Sequence, residues 1–402
     1  MKRKILIFIA FIAIYGINAF GQTKQESIST LVTPKQDAEP ATSPVGMPSM
    51  CVPLCINPDP VKMESGVLGT IYVSGVASGL VQLQNSIFPG DYGHQSDVSN
   101  AQIFIQKTEG LVQFFVQVGA YSLPDLGLPY IPSGLATNAF YGVFPQGYLK
   151  LAPTKNFSIQ AGKLPTLIGA EYTFSFENTN IQRGLLWNQE NAVNRGVQLN
   201  YTAGPLNLSL SYNDGMYSNK YNWVTGSLAY TVNKSNSIAF IGGGSTSRTA
   251  ISTSATPLYQ NNEQLYNLIY TRTSGQWTIQ PYLQYTFVPQ SSLLKTTQDA
   301  STYGAALLCN YTVAKSGFSL PFRLEYITST GSADKGAPSL IYGPGSKAWS
   351  VTLSPTYQYK RLFARAELSY VQANDITKGS AMGPLGNDAT QSRALLEIGI
   401  LF

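Results

Sequence analysis

The chain has 402 residues and a formal net charge of +5, and only 12% of it is charged, about half the fraction usual in soluble domains. Its 25 Tyr and 18 Phe stand against 26 Lys+Arg and 21 Asp+Glu, an aromatic, charge-poor balance that gives no case for binding nucleic acid. No later stretch is an uninterrupted apolar helix length, so a helical membrane protein is excluded as well.

Lys2-Arg3-Lys4 begins the chain, followed by an apolar run from Ile5 to Ile17 broken only by Gly16. Ala19-Phe20-Gly21 then sets small residues at −3 and −1 of a signal-peptidase site, predicting a signal peptide at 1–21 and export. Its loss removes three cations and brings the net charge to +2. Residues 22–66 are rich in Pro, Ser and Thr without a sustained period, and read as a periplasmic extension. Within it, Cys51 and Cys55 meet an oxidising compartment. A disulfide closing their small loop is one reading; cross-linking to a neighbouring protein is the other.

From residue 67 to 402, alternation at period two predicts an all-β transmembrane barrel of about sixteen antiparallel strands, an even number. The strands fall near 69–83, 99–108, 111–121, 140–151, 157–163, 195–203, 206–213, 222–232, 237–245, 263–273, 276–288, 302–313, 318–328, 348–359, 362–372 and 393–402. Short Gly-, Pro- or Asn-bearing turns alternate strictly with long links, as periplasmic turns and extracellular loops must. Both termini then face the periplasm. Tyr212, Tyr326 and Tyr370 near strand ends suit interfacial girdles.

The third long link, 164–194, is predicted to fold inward and narrow the pore through Glu171, Glu177, Arg183 and Glu190; a surface cap is the alternative. In the last strands Arg323 and Glu325, Arg365 and Glu367, and Arg393 and Glu397 lie opposite the apolar face and so line the lumen. Such a ladder sets a transverse field of mixed sign and weak ion selectivity, or stiffens the wall through cross-strand salt bridges. Sixteen strands enclose an aqueous lumen, and the extension is too small to be a transporter's plug domain.

In the closing strand Ala394, Leu396, Ile398, Ile400 and Phe402 share one apolar face while Arg393 and Glu397 share the other. Phe402 is the expected signal to the barrel-assembly machinery. Taken alone, this segment also fits an amphipathic strand of a soluble protein; the alternating links decide for the barrel. An enzyme is not expected. His94 is the single histidine and has no nucleophile to serve, and no cofactor or metal motif is present. Cys309 reads as a small wall residue.

Gly162-Lys163-Leu164-Pro165-Thr166-Leu167-Ile168-Gly169-Ala170-Glu171, then Asn180-Ile181-Gln182-Arg183-Gly184-Leu185-Leu186 and Arg195-Gly196-Val197, resembles the OmpL-like β-barrel porin family. The resemblance implies a pore in the outer membrane of a Gram-negative bacterium, passing small hydrophilic solutes or ions. Its partners would be outer-membrane lipid, the assembly machinery and, in one reading, further copies of itself. A substrate-selective sugar or anion channel and a structural or adhesive barrel remain the alternatives.

Overall fold

The computed structural model describes residue 54 and residues 60–402. The signal peptide, Cys51 and Cys55 and most of the 22–66 extension lie outside the described residues. The alternating runs form strands β1 (Thr70–Gln84), β2 (His94–Lys107), β3 (Val112–Tyr121), β4 (Gln146–Leu151), β5 (Phe157–Pro165) and β6 (Val193–Ala203). They continue as β7 (Leu206–Asn213), β8 (Trp223–Asn233), β9 (Asn236–Ser245), β10 (Gln264–Ser274) and β11 (Trp277–Val288). The last are β12 (Ala300–Thr312), β13 (Phe318–Ser329), β14 (Lys347–Leu353 with Thr356–Tyr359), β15 (Leu362–Asn374) and β16 (Thr390–Leu401).

Each strand pairs antiparallel with the next, and β16 pairs back to β1 from Arg393↔Gln84 to Leu401↔Val76. The sheet is therefore closed, with sixteen strands. Closure leaves no row of unpaired backbone groups, which a hydrocarbon core would penalise. Three expected strands differ in detail, and the first of them, expected from 99, begins already at His94. The run 348–359 is interrupted after Leu353, and both pieces pair with the same two neighbours. Pro355 has no N–H to donate to the ladder, and the Ser354 hydroxyl donates instead to Glu367 Oε2 at 2.6 Å. The strand expected from 140 begins at Gln146, because Ser133–Phe140 coils into a short helical segment.

Outward faces carry the apolar residues. Leu199, Leu210, Leu228, Leu268, Leu283, Leu324, Leu368 and Leu396 are all exposed, a belt that fits lipid and no aqueous surface. Tyr266, Tyr285 and Tyr303 stand in ring contact along this outer face, at 6.4 and 5.1 Å. Tyr212 and Tyr326 are exposed there too. Cys309 is a free thiol on the outward parity of β12. No helix among the described residues is long and apolar enough to cross a membrane.

The seam is fastened at its end: Phe402 N–H donates to Gly75 O at 2.9 Å, and Gly75 N–H to Phe402 O at 2.6 Å. Where β16 stops, the short strand Val61–Glu64 takes over its place beside β1, pairing Val61↔Val73. On the inner wall near this end Val76, Phe104, Phe115, Phe363 and Leu401 are buried in one apolar cluster, to which Leu54 also belongs.

Candidate functional site

Seven short turns separate alternate strands, and the long links emerge from the opposite end of the barrel. The third of these, residues 166–192, leaves β5 and returns into β6. It does not stay at the rim. Its side chains are buried almost throughout, and its contacts reach β10 to β16 on the far side as well as β2 and β3. In a ring of sixteen, β5/β6 and β13/β14 are half a circumference apart, so the loop crosses the full diameter of the lumen.

Two glycines let it lie flat against its supports. Gly169 adopts φ +85°, and a Cβ there would run into the Glu190 carboxylate; a Cβ at Gly184 would run into that of Glu325. Only glycine accepts the first backbone at no cost, and only its missing side chain permits the second approach.

The Arg/Glu residues of β13, β15 and β16 all face inward, and each meets the loop. Arg323 Nη1 donates to Glu171 Oε1 at 2.5 Å and to the Gln182 carbonyl at 2.8 Å. Arg323 also pairs along its own strand with Glu325 at 3.2 Å. Glu325 accepts from Ser350 Oγ at 2.7 Å and from Leu186 N–H at 3.3 Å. Arg365 donates to the carbonyls of Ser175 and Asn178 at 3.0 and 2.9 Å and pairs with Glu397. Glu367 takes four donors: Ile181 N–H at 2.6 Å, Gln182 N–H at 3.1 Å, Gln182 Nε2 at 2.9 Å and Ser354 Oγ at 2.6 Å. Arg393 reaches Gln182 Oε1 at 3.0 Å and the Asp125 carbonyl at 2.5 Å. All six wall residues are under 4% exposed. The ladder's charges are thus spent on one another and on loop backbone.

Within the loop, Arg183 pairs with Asp125 of the second long link at 2.6 Å and lies over the Trp187 ring. Glu177 accepts from Phe174 N–H at 3.2 Å, and burial pushes its carboxyl up to about 7. Glu190 accepts from the Tyr282 hydroxyl, and burial raises it to about 8. A cavity of about 210 Å³ lies above the loop, lined by Asp125, Arg183, Trp187, Glu190, Met216 and Ala255 among others.

Apolar packing accompanies the polar tethers on both sides of the loop. Ile168, Ala170, Leu185 and Leu186 share a core with wall residues from Trp223 to Val371. Phe174, Phe176 and Trp187 share another with Phe104, Phe115 and Tyr121. Phe115 and Tyr121 belong to a chain of rings running Tyr148, Phe115, Phe104, Phe176, Phe174, Tyr121, with centroids 4.9–6.3 Å apart. Sequence reasoning passed over Asp125, Gln182 and Glu263. For Glu263 the signal was available: it shares the inward parity of Leu265 and Asn267.

A closed sixteen-strand barrel with a lipid-fitting belt and an inward-folded third loop defines an outer-membrane barrel of the porin class. The chain belongs to the family described as "Putative beta-barrel porin-2, OmpL-like", whose model matches residues 70–402. The protein resides in the outer membrane of a Gram-negative bacterium. No curated protein matches it. Its fold is similar to the outer membrane protein OmpT of Vibrio cholerae, with TM-score 0.57 at 12% identity over 85% of this chain and 100% of that one. It is likewise similar to the outer membrane channel DcaP of Acinetobacter baumannii, with TM-score 0.56 at 10% identity over 85% and 99%.

Proposed function

We propose that the barrel is a passive channel for small hydrophilic solutes and ions, narrowed where residues 166–192 cross it, and that it carries out no catalysis. One observation carries this reading. Near the short-turn end the inner wall presents Ser74, Gln106, Gln198, Gln280, Asn310 and Ser319, each with a buried polar atom that no protein group satisfies. Buried polar groups call for partners, and water is the partner such a wall recruits. These residues are neutral, which suits solutes that differ in charge. Glu171, Glu177, Arg183 and Glu190 would set the shape of the constriction, held by the Arg/Glu wall. Phe402, locked to Gly75, would be the segment read during assembly into the membrane.

A second reading has its own support. Apolar cores on both faces of the loop would suit a barrel closed at this level, with a structural or adhesive role. Planar-bilayer recording of the refolded protein decides between them. Discrete conductance steps rising linearly with salt are expected of the channel. A folded, heat-modifiable barrel without steps would overturn it in favour of the closed one.

A further inference from the structure

We infer that Lys163 and Arg195 bind the phosphate of an outer-leaflet lipid headgroup on the outward face of the barrel. The site lies outside the lumen and does not depend on an open pore. Strand register places it. Lys163 of β5 stands directly opposite Arg195 of β6. Lys163 shares the outward parity of Ile159 and Ala161, and Arg195 that of Val197 and Leu199. The next row towards the short turns is apolar, with Leu149, Ala161, Val197 and Tyr212 side by side. Beyond it run Leu151, Ile159, Leu199 and Leu210. The two cations therefore stand where the lipid-fitting belt ends, on the side of the long links.

Like charges directly opposite one another on one face of a sheet are destabilising, and one acid does not offset both. Asp214 pairs with Arg195 at 2.7 Å and also accepts from the N–H groups of Arg195 and Asn219 at 2.6 and 2.9 Å. Lys163 forms no ion pair among the described residues. By contrast Lys347, at the same end of the wall, has Asp375 at 2.8 Å. Lys163 Nζ donates instead to the Phe144 carbonyl at 2.8 Å. It lies 5.4 Å from the Phe144 ring and 5.5 Å from that of Tyr217. The Arg195 guanidinium lies over the same Tyr217 ring at 4.0 Å, so one ring gathers both cations.

The pair edges a groove of about 460 Å³ in the outer wall, lined by Phe144, Lys163, Arg195, Val197, Tyr212 and Tyr221 among others. Its rim is built. The Phe144 ring lies on Gly147, where a Cβ would run into it, and the Tyr212 hydroxyl donates to the Tyr221 carbonyl at 2.6 Å. The Arg195 side chain is 25% exposed, so a ligand can reach it. Charge complementarity asks for an anion here, and a phosphate takes charge-assisted hydrogen bonds from both side chains. The apolar rows choose its source. A lipid lays its acyl chains on Leu149, Leu199 and Leu210 while its phosphate meets the cations, whereas a free phosphate gains nothing from those rows. Basic pockets at headgroup depth bind lipid headgroups in this manner.

The test is native mass spectrometry of the refolded barrel in detergent, titrated with diphosphorylated lipid A, with its dephosphorylated form, or with inorganic phosphate. The wild type is expected to prefer the phosphorylated lipid over both. Lys163→Gln, which keeps a donor for the Phe144 carbonyl, should weaken that binding by about tenfold, the loss of one charge-assisted hydrogen bond. Lys163→Arg should retain it. Lys378→Gln, on the exposed link between β15 and β16, should bind as the wild type does. Equal affinity in wild type and Lys163→Gln, or an equal loss in Lys378→Gln, would overturn the site. Inorganic phosphate binding as tightly as the lipid would overturn the lipid as its occupant. If Lys163→Gln does not fold, the wild type decides alone: equal affinity for the two lipid forms overturns the proposal, and a tenfold preference for the phosphorylated one supports it.

Discussion

Glu171 and Arg323 stand 2.5 Å apart, although the strands that launch the loop and the strand that carries Arg323 lie on opposite sides of the barrel. This pair is the far mooring of a segment that crosses the whole lumen. Both partners are buried, so the charges gain little from solvent and depend on each other.

Removing one partner should therefore cost more than removing both. Arg323→Met strands Glu171 and Glu325 and is expected to destabilise by about 3–5 kcal/mol, the usual cost of an uncompensated buried charge. Adding Glu171→Gln should return part of that loss, with a coupling of about 0.5–3 kcal/mol. The single variant should also show larger or noisier conductance as the loop loosens. Thermal unfolding in micelles and single-channel records measure the two effects; additive losses would show that the pair is not coupled.

Glu367 offers a sharper test of the loop's central tether. All four of its bonds are donated to it, by Ile181, twice by Gln182, and by Ser354. Glu367→Gln replaces one acceptor oxygen with a donor and sets it against N–H groups. Leaving buried donors unsatisfied costs about 1–3 kcal/mol, more at a charged site. Faster proteolytic nicking within 166–192, with the barrel intact on a gel, is the expected result.

The sixteen strands were legible because period-two alternation is local: each strand declares its own inward and outward faces. The inward direction of Arg323, Arg365 and Arg393 followed in the same way. What they touch did not. Ile181 and Glu367 are 186 residues apart, and only the path of a loop across the closed barrel brings them together. The ladder read as lining or stiffening the wall does include a cross-strand pair, Arg365 with Glu397, but many of its other bonds go to the loop, which no local pattern announces. The break at Ser354-Pro355 carried a local signal in its proline, which the strong alternation on either side obscured.

The buried Glu177 predicts a pH dependence. Its carboxyl sits near 7 in the folded protein, raised by burial, against an ordinary value of 4.5. A raised acid favours the folded state most at low pH. Its contribution is fully present below about 4.5 and is lost as pH climbs through 7. Thermal unfolding followed from pH 5 to pH 9 should therefore show the wild type weakening with pH. Glu177→Gln should flatten that slope, and an unchanged slope would assign the dependence to other groups.

The outward face makes a prediction of the opposite kind, because its residues answer to lipid and not to the loop. Leu396 is exposed near the middle of β16, between the inward-facing Leu395 and Glu397. Arginine there must enter the hydrocarbon core, at a cost of about 2–4 kcal/mol near the bilayer midplane. Leu396→Arg should fold more slowly and less completely into vesicles, as followed by heat-modifiability. In the protein that does fold, the conductance should match the wild type, since no lumen contact is altered. If Leu396→Arg changed conductance but not insertion, the inward and outward assignment of the closing strand would have to be reversed.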